Sequence, residues 1–373
     1  MQNEFNNRRM QRMKWLRVGL LVGFLLLGSF LFAPSPIDSK AWQPPAPPPL
    51  TGVLAPNERL RLADLLAQGQ VTGPEDTAVN AEGVVYTGTA SGDIVRIFPD
   101  GRVDTWLSTG GRPLGMAFDV HGNLIVADAW KGLLEITPDG KLTVLAREAQ
   151  GTLFGFTDDV AIAGDGRIYF SDASSRFHQP DYRLDLLEMR PHGRLLRYSR
   201  KTGKAEVLLG NLYFANGVAV SPGGDYVLVN ETWKYRILRY WIRGPKAGQA
   251  EVFADNLPGF PDNLAFDREG RVWVAFPSLR DERVDTMHRN PWLKDLVAKL
   301  PDALKPAPRE YGLVVAYDRE GQAIVSLHDT RGTHLQEITS VTPHGGYLYF
   351  GSLHNDRVGR LPLQAIPGLG GDT

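Results

Sequence analysis

The chain has 373 residues, 43% hydrophobic and 22% charged, with a formal net charge of −1. That near-neutral balance argues against a nucleic-acid surface, which needs a basic excess to displace counterions. The absence of cysteine excludes disulfides, zinc–thiolate sites and thiol catalysis, and is compatible with oxidising and reducing compartments alike.

Residues 1–17 form a basic tail with Arg8, Arg9, Arg12, Lys14 and Arg17, followed by the apolar run VGLLVGFLLLGSFLFA from Val18 to Ala33. Sixteen helical residues reach about 24 Å, short of a hydrocarbon core of about 30 Å, but Trp15 and Leu16 extend the run and Arg17 can snorkel. Residues 18–34 therefore read as a transmembrane signal anchor. The cationic flank stays in the cytoplasm, and everything after Ala33 lies on the extracytoplasmic side, periplasmic or lumenal. A cleaved signal peptide is the alternative; Pro34, directly after the only plausible cut at Ala33, speaks against it. Residues 35–60 form a proline-rich linker with five prolines in six positions from Pro44 to Pro49. Such a stretch is extended and stiff, with little capacity to pack, and is expected to hold the body away from the bilayer.

One hairpin pattern then recurs: PEDTAVNAEGVVYTG from Pro74, PLGMAFDVHGNLIVA from Pro113, TDDVAIAGDGRIYFS from Thr157, ANGVAVSPGGDYVLV from Ala215 and PDNLAFDREGRVWVA from Pro261. A shorter copy, ITSVTPHGGYLYFG, starts at Ile338. Each is a short apolar strand, a glycine turn and a strongly β-prone strand, and further strands such as GDIVRIF, GLLEIT, GRLLRYS and YRILRYWI follow. Units of about 50 residues without intervening long helices indicate propeller blades. The predicted fold is all-β: a six-bladed β-propeller over residues 61–366, with a tail at 367–373. Its last blade is expected to close with a strand from Ala67 to Val71. The insertion MHRNPWLKDLVAKLPDAL, from Met287 to Leu304, predicts one short helix capped by Asn290 with Pro291 at its first position. Its apolar face suits packing over the channel mouth, or contact with the membrane.

The first strand of each blade lines the channel, so equivalent residues point at one axis. Eight positions before the turn glycine stand Glu75, Leu114, Asp158, Asn216 and Asp262, and Thr339 fills the same slot in the shorter sixth copy. Carboxylates converging in a narrow channel repel unless a cation lies between them. An all-oxygen donor set points to a hard ion, and calcium suits it better than magnesium. One position later, Asn263 can add a carbonyl oxygen. Asp76 and Asp159 can hold a second, structural calcium or simply bond to adjacent strand ends.

The stretches GPE at Gly73, YFSDASSRF at Tyr169, ANGVAVSP at Ala215, ILRYWIRGPKAG at Ile237, LPGFPDNL at Leu257, and the later NPWLKDL and SLHD resemble the strictosidine synthase-like propellers, most closely their adipocyte plasma membrane-associated branch. The resemblance runs from the proline linker to the C-terminus and includes the anchor. Wider relatives of this kind are calcium-dependent lactonases and arylesterases, in which Glu, Asn, Asn and Asp hold a channel calcium. The corresponding residues here look like Glu75, Asp158, Asn216 and Asp262, and paraoxonase-like members add an Asn matching Asn263. Three positions depart from the relatives. Asp158 replaces an Asn and adds a negative charge. Thr339, followed by Ser340, replaces the catalytic Glu of strictosidine synthases, which argues against a condensing enzyme. Leu114 replaces the paraoxonase His.

The expected activity is hydrolysis of a small ester or lactone, with Asp262 as general base, nucleophile or ligand only, and with Leu114, Thr339 and Ser340 at the pocket. His334 and Glu337 precede the sixth slot and are candidates for the mouth. The serines of SDASSRF read as turn and strand-end hydrogen bonding. A non-catalytic, calcium-stabilised propeller acting as a binding module is the alternative.

Overall fold

The turns of the six repeats set the register of everything else. Their glycines take a left-handed backbone that a side chain would strain, with φ of 78° at Gly83, 79° at Gly122, 80° at Gly166, 67° at Gly224, 81° at Gly270 and 83° at Gly346. Short polar side chains complete such turns, as in the first, second and fifth repeats. Asn80 Oδ1 accepts the N–H of Val84 at 2.8 Å, Asp119 Oδ1 that of Asn123 at 2.9 Å, and Asp267 Oδ1 that of Arg271 at 2.9 Å.

The structure is a computed structural model and describes residues 2–301, 304–305 and 309–369. Among the described residues, six sheets form six blades, each with four antiparallel strands, and blade 3 adds two short outer strands, Glu148–Ala149 and Thr152–Leu153, the first of them parallel to the blade's fourth strand. Blade 1 comprises Thr77–Val79, Val85–Gly88, Asp93–Ile97 and Val103–Ser108, and blade 2 comprises Pro113–Phe118, Leu124–Asp128, Gly132–Ile136 and Leu142–Ala146. Blade 3 is built on Thr157–Ile162, Ile168–Asp172, Gly193–Ser199 and Lys204–Leu212, and blade 4 on Ala215–Val220, Tyr226–Glu231, Arg236–Trp241 and Ala250–Ala254. Blade 5 is Leu264–Phe266, Val272–Phe276, Gly312–Tyr317 and Ala323–Asp329. Blade 6 takes Ile338–His344, Tyr347–Ser352 and Val358–Pro362 from the C-terminal end. Its outer strand comes from the other end of the chain, Asp64–Leu66, with Leu65 opposite Gly359. The ring is thus sealed by pairing its ends. The closing strand lies just before the segment 67–71 expected for it, because Ala67 (φ 52°) and Gly69 (φ 74°) turn the chain away.

First strands of neighbouring blades contact one another around the channel. They approach closely because glycine stands where a side chain would collide. A Cβ on Gly217 would lie 2.4 Å from the Asp262 carbonyl oxygen, and one on Gly115 would lie 2.6 Å from the Asp159 Cα.

Helical segments sit outside this frame. Helix α1, Gln2–Phe32, contains a stretch from Met10 to Phe32 that is long and apolar enough to cross a membrane. The helix expected from Met287 to Leu304 is instead two short ones, α3 (Glu282–His288) and α4 (Pro291–Ala298), while 302–303 lie outside the described residues. Pro291 does open α4, but Asn290 donates its Nδ2 to the Thr286 carbonyl at 3.0 Å and leaves the α4 terminus without a side-chain cap. Blade 3 carries a further insertion, α2 (Tyr182–Glu188), in the loop that corresponds to the α3–α4 loop of blade 5. The linker does not stand free as expected. Trp42 packs on Tyr235 and His288 with ring centroids 5.7 and 5.4 Å away, and Asn256 donates to the Ala46 carbonyl at 2.8 Å. An extended proline-rich backbone makes no internal hydrogen bonds, so its carbonyls are available to donors on the body.

Gly217→Ala is expected to lower stability by about 1–3 kcal/mol, the usual cost of forcing a methyl into a packed site. A shift of the denaturant midpoint measures it; an unchanged midpoint would mean that the inner strands can move apart.

Candidate metal centre

All six slot residues (Glu75, Leu114, Asp158, Asn216, Asp262 and Thr339) line one cavity of about 200 Å³. The chain therefore brings together at one point residues separated by up to 264 positions, as the Thr339 hydroxyl bonded to the Glu75 carbonyl at 2.6 Å illustrates. Glu75, Asp158 and Asp262 each present an oxygen within 4.8 Å of the other two, and all three are buried. Glu75 Oε2, Asp158 Oδ2 and Asn216 Oδ1 have no hydrogen-bond partner. The Asn263 side chain is buried with both polar atoms unpartnered.

Burial, then the neighbouring Asp262, Asp76 and Asp158, hold the Glu75 carboxyl well above its usual range, and Arg112 pulls weakly the other way. Burial followed by Asp262 does the same to Asp158. Burial pushes Asp262 up to about 8, against an opposing hydrogen bond from Asn216. At separations up to 4.8 Å, each ionised pair repels by at least about 3 kcal/mol at an effective dielectric near 20. Three such pairs approach about 10 kcal/mol, comparable with the whole net stability of a domain. Either protons or a cation must therefore occupy the cluster. Unpartnered, buried, exclusively oxygen donors fit a hard divalent cation.

One residue deeper, Asp76 and Asp159 act as ties between blades. Asp76 Oδ2 accepts the Met116 N–H of blade 2 at 2.8 Å, and Asp159 Oδ2 accepts the Val218 N–H of blade 4 at 2.7 Å. Burial raises Asp76 to about 6. Ser340 lies at the same depth, accepting the Gly351 N–H at 3.1 Å, so Thr339 rather than Ser340 forms the cavity wall. His334 is turned away from the mouth, with Nε2 bonded to the Ala63 carbonyl at 2.8 Å beside the closing strand. In SDASSRF, Asp172 accepts the Phe156 N–H at 2.9 Å and Ser174 donates to Asp185 of α2 at 2.6 Å, leaving no serine–histidine pair in that motif.

The aromatic wall was missed in the sequence, although the same register encodes it, while Glu337 does reach the mouth as expected. Two positions before the ligand slot stand Gly73, Arg112, Phe156, Phe214, Phe260 and Glu337. The three phenylalanines, on successive blades, join through Trp233 into one aromatic wall: Phe156–Phe214 at 5.3 Å, Phe214–Trp233 at 4.3 Å and Trp233–Phe260 at 5.9 Å between ring centroids. On the opposite rim, Glu337 has a left-handed backbone (φ 46°) and accepts a hydrogen bond from His354 Nδ1. Both residues line the cavity. Asn230, six residues past its turn glycine, donates to the Asp262 carbonyl and steadies that strand. Helices α2, α3 and α4 roof the cavity through residues such as Leu186, Met287 and Val297.

Fold and site together define a six-bladed propeller with a buried acidic cluster at the mouth of its channel. The strictosidine synthase family model matches residues 158–245, and the N-terminal model of strictosidine synthase-like proteins matches residues 52–97. Adipocyte plasma membrane-associated protein of Mus musculus is 36% identical over 96% of this chain and 92% of its own length. Strictosidine synthase-like protein 6 of Arabidopsis thaliana is 37% identical over 94% of each. The chain belongs to the strictosidine synthase-like family. Among solved structures, a gluconolactonase from Xanthomonas campestris has the same fold at TM-score 0.60 and 20% identity, covering 89% of this chain and 99% of that one. Regucalcin from Agrobacterium tumefaciens, a calcium-binding protein, gives TM-score 0.58 at 17% identity over 80% and 93%.

The raised carboxyl groups set a sign for the pH dependence. A carboxyl whose folded value lies above its unfolded one binds its proton more tightly in the native state, so its contribution to stability is lost as pH rises. In chelator, the melting temperature is expected to fall as pH rises from about 4 towards the folded value of about 8 for Asp262. Added calcium should restore it more at pH 8 than at pH 5. Thermal scans across that range, with and without calcium, check both halves.

Proposed function

We propose that the protein is a membrane-anchored, calcium-dependent hydrolase of small esters or lactones. The carrying observation is the cluster of Glu75, Asp158 and Asp262, whose oxygens converge on the floor of a cavity with an aromatic wall, Glu75 Oε2 and Asp158 Oδ2 among them without a hydrogen-bond partner. Kinship with a gluconolactonase and a calcium-binding regucalcin in fold, and with a membrane-associated relative in sequence, supports the same reading.

Glu75, Asp158, Asn216 and Asp262 would hold the ion, with Asn263 as a fifth donor. When bound, calcium would supply polarisation of the substrate carbonyl and stabilisation of the oxyanion. The side chains divide the remaining work. Phe156, Phe214, Trp233 and Phe260 hold the apolar body of the substrate and exclude water from that side. Asp262, at the cavity floor, takes the proton from the attacking water, a role suited to a carboxyl raised to about 8 when no cation is present and lower beside one. Glu337 accepts from His354 Nδ1 and so leaves Nε2 of that ring free to pass protons to solvent at the rim. Thr339 spends its hydroxyl on the Glu75 carbonyl, so the sixth slot offers no base for a condensation.

For the full-length protein, arylester and lactone turnover should disappear with chelator and return with calcium. Asp262→Asn should cost at least about a hundredfold in kcat, the low end for losing a positioned acid or base, with the circular dichroism spectrum unchanged. Glu337→Gln should lower kcat less and flatten its pH profile. Turnover indifferent to both chelator and Asp262→Asn would refute the reading.

A further inference from the structure

The geometry points to the cavity face of the propeller as a surface that rests on the bilayer entered by α1, with the cavity opening towards lipid and admitting esters or lactones partitioned into that leaflet. This deepens the proposed function and rests on its anchoring half, but not on catalysis.

The connection between anchor and roof is too short to allow a gap. Helix α1 ends at Phe32, and three residues later the Ser35 hydroxyl donates to Asp295 of α4 at 3.2 Å. Lys299, just past α4, donates from Nζ to the carbonyls of Phe30 and Leu31 at 3.4 and 3.2 Å. Ile37 is buried with Phe177 and Leu187 beside α2 and with Ala298 of α4. Three residues span at most about 11 Å, whereas the headgroup layer on each side of the core is about 5–7 Å thick. With α1 across the membrane, α4 must lie at or against the headgroups. The linker that follows then runs over the body rather than spacing it from the membrane.

The surface chemistry of the same face agrees independently. Trp292 on α4 and Leu304 beyond it are 65% and 67% exposed, and Trp130 is 57% exposed. Trp130 lies between the second and third strands of blade 2, in the loop equivalent to those carrying α2 in blade 3 and α3–α4 in blade 5. Blades 2 and 5 stand opposite each other in a ring of six, so two indoles flank the cavity from opposite sides. Indole is the side chain that partitions best to the membrane interface. Lys131, next to Trp130 in the chain, adds a cation where lipid phosphates would meet it. Between the two indoles lies the aromatic wall, suited to an apolar substrate body delivered from the leaflet.

The absence of cysteine makes the test direct. Trp292→Cys, Trp130→Cys, His354→Cys at the cavity rim, Val120→Cys on a turn at the opposite end of blade 2, and Leu25→Cys within α1 each receive one environment-sensitive fluorophore. The labelled full-length chains are reconstituted in phosphatidylcholine vesicles containing doxyl-labelled lipid. Strong quenching is expected at 25, 292, 130 and 354, and little at 120. Quenching at 25 with 292 and 130 no more affected than 120 would overturn the docking surface while leaving the anchor intact. Quenching at 292 and 130 but not at 354 would overturn entry from lipid. No quenching at 25 would overturn the anchored reading, and this inference with it; none of these readouts depends on turnover.

Discussion

The repulsion among Glu75, Asp158 and Asp262 is the constraint around which this molecule is organised. Three carboxyls removed from water and held within 4.8 Å of one another are tolerable only in a frame that cannot relax outward. The frame is a closed ring. Asp64–Leu66 completes blade 6, so the ends of the propeller are held together by strand pairing. At the hub, glycines at 115 and 217 let neighbouring first strands approach to a distance no side chain permits. One layer below the cluster, Asp76 and Asp159 use their carboxylates to accept N–H groups from the next blade. Acidic residues thus both load the site and tie the ring that carries the load.

The roof is fixed to this floor by buried polar contacts. Asp185 of α2 receives the Ser174 hydroxyl at 2.6 Å and the Trp233 indole N–H at 2.8 Å, linking blade 3, blade 4 and the helix at one carboxyl. Burial raises that carboxyl to about 7. Asp285 of α3 does the corresponding work in blade 5, accepting from the Tyr235 hydroxyl at 2.9 Å and from Arg280 at 2.7 Å. Trp233 belongs to the aromatic wall and Tyr235 packs edge-on against Phe260, so the contacts that position the roof also set the shape of the cavity. The linker adds a third layer: Lys294 of α4 is buried and donates to the Lys40 carbonyl, and Trp42 lies across Tyr235 and His288.

Much of this was legible in the sequence because a propeller repeats its grammar. Once the turn glycines are aligned, a count of eight backwards reaches the cavity floor in five blades, and seven in the sixth. That count works because the glycine fixes the turn and the turn fixes which residue begins the channel strand. The same alignment, read ten residues back, contains Phe156, Phe214 and Phe260, and read six forwards contains Asn230. Those residues were missed because an aromatic or an asparagine near a strand end is ordinary in any β-protein, whereas grouped acids are not. The roof was less legible for a different reason. Helices α2 and α3 are seven residues each and stand on tertiary contacts, below the length at which periodicity or propensity speaks. The linker misled for a third reason: its stiffness is local and readable, but whether donors such as Arg280 and Asn256 await its carbonyls is decided elsewhere in the chain.

The rim above this floor is divided by residue type. Blades 3, 4 and 5 contribute phenylalanine two positions before the ligand slot, while blades 2 and 6 contribute Arg112 and Glu337. Arg112 is committed to structure: its guanidinium donates twice to the Gly73 carbonyl at 3.2 Å, and its charge only moderates Glu75. Glu337 is not committed in this way. Its left-handed backbone holds the carboxylate towards His354 at the cavity edge, a conformation that costs energy for a residue with a Cβ and persists only where surrounding structure enforces it. The Glu337 N–H donates to the Tyr311 carbonyl at 3.1 Å, and its carbonyl accepts from Leu353 at 3.2 Å, so blade 5 and the His354 loop together supply that enforcement. An ionisable pair of the mouth therefore sits where blade 6 meets it. There the Thr339 hydroxyl is held by the Glu75 carbonyl, and the Glu337–His354 pair stands at the rim.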